Sequence, residues 1–82
     1  MALRLRVLTQ IKKVFDSDVD FVRFEALDGS VGVLEGHSPL AAVLKKSSVK
    51  CRHNGSEASI EINGGFAKVM PDIVSILAVA DA

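Results

Sequence analysis

The sequence predicts an all-β fold, a small antiparallel β-sandwich of about eight to ten short strands. Three observations carry that expectation. The chain opens with a strict alternation of apolar and charged residues, turn signals recur between short β-branched runs, and one Asn-Gly pair sits between two segments that match as a hairpin.

The first element is read from Leu3 to Val7, where Leu3, Leu5 and Val7 alternate with Arg4 and Arg6. A period of two gives a strand with one buried face, whereas a helix would scatter the two arginines over different sides. From Val19 to Ala26 the residues Val22, Phe24 and Ala26 fall on one side, and Val19, Phe21, Arg23 and Glu25 on the other, before Asp28-Gly29 turns the chain. Further turns are expected at Asn54-Gly55, Gly64-Gly65 and Pro71-Asp72. The hairpin from Ser48 to Ile62 is the most detailed expectation. Asn-Gly tolerates positive φ at both central positions of a type I′ turn, so the register follows: His53 faces Ser56, Arg52 faces Glu57, Cys51 faces Ala58, Lys50 faces Ser59 and Val49 faces Ile60. Val49, Cys51, Ala58 and Ile60 then form an apolar face, with Lys50, Arg52 and Glu57 opposite. A slip of one residue would turn Val49 and Ile60 to solvent.

Size and charge narrow the function. A domain of 82 residues buries only roughly 60–65% of the surface its unfolded chain exposes, which leaves little room for a deep catalytic cleft. Ten basic residues balance ten acidic ones, so the chain lacks the positive excess that nucleic-acid binding rewards. No apolar run approaches the roughly 18–20 residues needed to span a bilayer, and the alternating start lacks the unbroken apolar core of a signal peptide. A soluble, cytosolic protein is expected. The single cysteine, Cys51, cannot form an internal disulfide and alternates with Val49 as a small core residue.

Candidate chemistry is sparse. His37 and His53 are the two histidines, and neither has a second ligand at zinc-site spacing, so no metal is expected. Ser38 beside His37 is a turn hydroxyl before Pro39, because neighbours on an extended chain point to opposite sides. Gly29, Gly32 and Gly36 do not open a helix in a βαβ unit and are read as turn and close-approach positions, not as a dinucleotide site. Asn54-Gly55-Ser56 spells a glycosylation acceptor, but its context makes it a hairpin turn. No catalytic residue and no cofactor is expected.

The segment Leu27–Leu40, LDGSVGVLEGHSPL, carries Gly29, Gly32, Gly36, His37, Pro39 and Leu40. It resembles the signature loop of the epsilon subunit of F-type ATP synthase. The opening LRLRVLTQIKKVFDSDVD is similar to that family's first strands, Asn63-Gly64-Gly65-Phe66 resembles its Ser-Gly-Gly-Phe turn, and Val74–Ala78 its last strand. The resemblance implies a non-catalytic rotor subunit at the central stalk, peripheral to the cytoplasmic face of the bacterial membrane, which joins the gamma subunit to the c-ring and couples proton flow to ATP synthesis. It places the ring contact at Asp28, Gly29, Ser30, Val31, Gly32 and His37, and the gamma contact at Thr9, Gln10 and Ala42. Ser30 replaces an acidic residue common in the family and Glu35 a proline, so the charge facing the ring moves to Asp28 or Glu35. Family members usually continue past the position of Ala82 into two helices. The chain 1–82 is thus expected to be a single epsilon-type sandwich domain without that helical domain and its nucleotide site. The competing expectation is a free-standing β-sandwich that binds a peptide or small ligand at an exposed strand edge.

Overall fold

The computed structural model describes residues 3–79, which form seven strands: β1 (Leu3–Leu8), β2 (Lys13–Val19), β3 (Phe21–Ala26), β4 (Gly29–Val33), β5 (Leu40–His53), β6 (Ser56–Val69) and β7 (Ile73–Ala78). They hydrogen-bond in the order β2-β1-β7-β6-β5-β3-β4. The expected termination at Ala82 falls outside the described residues.

Two strands account for the sandwich. β5 and β6 are 14 residues each, and they pair in one continuous antiparallel register from Leu40↔Val69 to His53↔Ser56. The pairs expected around Asn54-Gly55 are all present. Asn54 (φ 53°) and Gly55 (φ 78°) adopt the two positive φ values of a type I′ turn. One end of this hairpin joins β1, β2 and β7 in one layer, and the other joins β3 and β4 in the second. The core lies between, with Leu3, Leu5, Val7, Ala67, Val69, Val74 and Ile76 from the first layer against Val22, Phe24, Val33, Val49 and Cys51 from the second.

Serving both layers requires the long strands to change which parity faces inward. In the turn-proximal half of β6 the even positions Ala58, Ile60 and Ile62 face the core, and in the distal half the odd positions Ala67 and Val69 do. β5 changes in step, from Cys51 and Val49 to Leu44. The change falls at Gly64 (φ 100°) and Gly65 (φ 145°), conformations that side chains other than glycine rarely adopt. A Cβ on Gly65 would collide with the backbone of Leu77 and Ala78, so this position needs glycine on packing grounds as well.

These glycines correct one expectation. Gly64-Gly65 is not a turn between strands but a face switch inside β6, and because β5 and β6 pair in the same register on both sides of it, two expected short strands become one long one. That is why seven strands appear where about eight to ten were predicted. The sandwich is also not wholly antiparallel, since β1 runs parallel to β7. The segment read as Val19–Ala26 divides: β2 ends at Val19, whose side chain is buried opposite Leu3, and Asp20 reverses the chain before β3. Val22, Phe24 and Ala26 do form one buried face. The β3–β4 turn consists of Leu27 and Asp28, one residue earlier than predicted, with Gly29 opening β4 opposite Ala26.

Candidate interaction surface

The residues assigned to the ring contact separate into two groups. Asp28, Gly29, Ser30, Val31 and Gly32 occupy the β3–β4 hairpin, where β4 is an edge strand. Val33 is buried and Val31 packs against the core, so alternate side chains anchor this edge. The Ser30 hydroxyl donates to Oε2 of Glu25 at 2.6 Å, directly across the ladder. A carboxylate, that of Glu25, therefore stands beside Ser30 on this face. His37 belongs to a different turn. Its N–H donates to the Leu34 carbonyl at 3.2 Å, and that of Gly36 to the Pro71 carbonyl at 2.7 Å, which ties residues 34–39 to the β6–β7 connection. His37 Nδ1 donates to the Ser38 carbonyl at 2.7 Å.

The residues assigned to the gamma contact have unequal roles. The Thr9 hydroxyl accepts from the N–H groups of Ile11 (3.2 Å) and Lys12 (3.1 Å), and the Thr9 N–H donates to the Lys12 carbonyl at 2.9 Å. Thr9 thus builds the β1–β2 turn on which Gln10 is exposed. Ala42 points inward, partly buried against the core.

Beside Ala42 lies what the sequence reading missed. The pairings Leu8↔Leu77, Leu77↔Phe66 and Phe66↔Val43 align four apolar side chains across β1, β7, β6 and β5. They stand on the outer face, where Phe66 is 59% exposed, Leu77 54% and Val43 44%. At the end of the row the Leu27 N–H donates to the Val43 carbonyl at 3.0 Å, which brings a fifth apolar residue alongside, itself exposed. At strand spacing the four-strand row spans roughly 14 Å. The signal was present: Ile76-Leu77-Ala78 is apolar at both parities, the mark of a strand covered on both faces.

One row towards the β6–β7 turn, the same face is polar, with Asp16, Arg6, Ser75 and Lys68 aligned by pairing. Asp16 is the hub. It accepts from Arg4 Nε at 2.7 Å, lies 3.2 Å from Lys13 Nζ and 3.7 Å from Arg6 Nε, and Asp18 adds a 3.5 Å contact to Arg4. The hydrogen bond from Arg4 holds the Asp16 carboxyl below its ordinary range, aided by Lys13 and opposed by desolvation.

The opposite outer face, on the second layer, is polar and largely charged. Arg23 pairs with Lys50, Phe21 with Arg52, and Arg52 with Glu57 at 3.4 Å; Ser48 donates to Glu61 at 2.6 Å. The Arg52 guanidinium covers Phe21, 5.7 Å from its ring centre, so that aromatic is shielded where Phe66 is bare. His53 closes the seam between β2 and β5: Nδ1 donates to the Asp18 carbonyl at 2.8 Å, and its ring meets Phe15 edge-on at 5.9 Å. Among the described residues no group of His, Cys, Asp or Glu is placed to hold a metal ion. Cys51 is buried, and desolvation raises its thiol above the usual value. No helix among the described residues is long and apolar enough to cross a membrane.

Comparison with known proteins agrees with this architecture. Residues 2–80 match the family model of the ATP synthase, Delta/Epsilon chain, beta-sandwich domain. The chain is 41% identical over 95% of its length to the ATP synthase epsilon chain of Alkalihalophilus pseudofirmus, and 36% identical over 95% to that of Bacillus subtilis. It covers 59% of each of those relatives. In fold it resembles a chain of the Euglena gracilis mitochondrial ATP synthase, with a TM-score of 0.88 at 24% identity, covering 96% of this chain and 51% of that one. A chain of the Tetrahymena thermophila mitochondrial ATP synthase central stalk and c-ring gives 0.81 at 16% identity, covering 98% and 65%. A seven-stranded sandwich switched between layers at paired glycines, matched along nearly its whole length, places this chain in the ATP synthase delta/epsilon β-sandwich family.

Proposed function

We propose that this chain is a non-catalytic rotor subunit of a proton-translocating F-type ATP synthase, joining the gamma subunit to the c-ring and so coupling ion flow to ATP synthesis. The observation that carries the reading is the apolar row of half-buried Leu8 and exposed Leu77, Phe66 and Val43. A monomeric sandwich gains nothing from an apolar row on an outer face, while a subunit fixed to a partner buries it. The relatives named as epsilon chains and the neighbours from ATP synthase assemblies support the same reading.

In this proposal gamma sits on the row, with Gln10 and the Thr9 turn at its margin, and Ala42 acts from beneath by packing the strand that carries Val43. The ring contact is made by the β3–β4 hairpin through Asp28, Gly29, Ser30, Val31 and Gly32, with His37 on the neighbouring turn. The subunit is peripheral, at the cytoplasmic face of the membrane, and needs no cofactor. Each contact alone is small, so the complex gains from engaging gamma and ring together. The test is capture by immobilised gamma subunit from the same ATP synthase, followed by recovery of proton-driven ATP synthesis in an enzyme depleted of its own epsilon. Capture and recovery are expected; failure of both would sink the reading.

A further inference from the structure

The apolar row is bordered by cations, and the border is unbalanced. Along the row one step nearer the β6–β7 turn stand Arg6 and Lys68, with Arg4 and Lys13 close by, and Lys45 is exposed on β5 just past the other side of the row. Among the described residues the carboxylates that pair with these cations are Asp16 and Asp18, and Asp16 already serves Arg4 and Lys13. Arg6 Nε is shut off from solvent with no hydrogen-bond partner, its nearest carboxylate oxygen 3.7 Å away. Lys68 is exposed and forms no ion pair among the described residues. At the far end of the row Asp28 follows Leu27, and Asp72 lies out at the β6–β7 turn, so the charged positions directly beside the row on that long side, Arg6 and Lys68, are positive.

We propose that this surface takes a protein partner whose apolar ridge is bordered by carboxylates on the side facing Arg6 and Lys68, and that these charges steer and orient its docking. The inference rests on the rotor reading above, with gamma as that partner. Apolar centre and charged rim divide the work: burial of Phe66 and Leu77 holds the complex, and the rim sets association rate and register. Arg6 and Lys68 flank Ser75 on adjacent strands, so a carboxylate lying over Ser75 would meet both. An anionic lipid surface shares part of this chemistry. The protein partner is favoured because the apolar side chains lie in line across four paired strands, a shape that matches a ridge, instead of on a protruding tip that would enter a bilayer.

The experiment measures association of the full chain with gamma from the same ATP synthase at about 50 mM and about 300 mM salt. Lys68→Glu is compared with Lys50→Glu on the opposite face, and circular dichroism checks that both remain folded. The expected result is a wild-type association rate that falls several-fold at the higher salt, a roughly tenfold slower rate for Lys68→Glu at low salt, and no change for Lys50→Glu. Wild-type binding that is unaffected by Lys68→Glu overturns the steering inference and leaves the rotor reading standing. Absence of wild-type binding overturns both. Capture of the chain by phosphatidylglycerol vesicles that is lost in Lys68→Glu, with gamma association unchanged, assigns the cations to lipid and also overturns the inference.

Discussion

The two outer faces of this sandwich are built from the same hairpin and differ in kind. On the turn-proximal half of β5 and β6 the outward residues include Lys50, Arg52, Glu57 and Ser59; on the distal half they include Val43 and Phe66, with Ala41 and Lys68 in the next row. The first set is an ordinary solvated face, and its one aromatic neighbour, Phe21, lies beneath Arg52. The second set is bare. What divides them is the parity change at Gly64-Gly65, which keeps Ala67 and Val69 in the core and turns Phe66 outward. An interaction face has thus been made by a backbone conformation as much as by side-chain choice.

The sharpest way to break the comparison is to remove the switch. Gly65→Val places a side chain against the Leu77 carbonyl and Ala78, in a backbone region unsuited to a branched residue, and should cost about 3 kcal/mol or more. Thermal denaturation reads this as a loss of many degrees or as failure to fold. Next is the apolar face itself. Phe66→Asp should weaken gamma binding by roughly 2–4 kcal/mol, while folding stability, measured by urea titration, moves by only about 0.5 kcal/mol because the side chain is exposed. A matching loss for Glu57→Arg on the other face would erase the distinction between the faces.

Gly36→Val probes the margin between fold and contact. Its φ of 88° strains any branched residue, yet apart from its chain neighbours nothing lies within 4 Å of the point where a Cβ would stand, so a stability loss of about 1–2 kcal/mol is expected. A further loss of ATP-synthesis coupling beyond what that destabilisation explains would assign Gly36 to the ring contact. Asp16→Asn addresses the cationic border. Because its carboxyl is depressed in the folded state, Asp16 contributes stability that is complete above its unfolded value, about pH 4, and disappears as pH falls through the lower folded value. The variant should flatten the acid limb of a stability–pH profile, and an unchanged limb would remove Asp16 as the hub. Smallest is Arg52→Ala: its exposed pair with Glu57 should change stability by no more than about 0.5 kcal/mol, with no effect on gamma binding.

Local chemistry was legible wherever a short segment decides its own conformation. Asn54-Gly55 set the hairpin register residue by residue, and the alternation of Leu3, Leu5 and Val7 marked the buried face of β1. The family loop was legible as a motif, and in the structure Val31 and Val33 anchor it by packing. Gly64-Gly65 was not, because a glycine pair has the same appearance in a turn and in a strand that changes face; the difference lies in whether the ladder continues on both sides. The apolar row was hidden for a related reason. Leu8, Val43, Phe66 and Leu77 come from four separate segments, and only pairing brings them into line.

By itself, then, the sequence determined the all-β class, the Asn-Gly hairpin with its register, the buried parity of β1 and β3, and the family motif, since each depends on contacts between residues close in the chain. The tertiary structure alone decided the parallel pairing of β1 with β7, the passage of β5 and β6 through both layers, and the separation of a charged outer face from one that carries an apolar row. Those features depend on which distant strands become neighbours, and hydrophobic periodicity carries which side of a strand is buried but not what lies across from it.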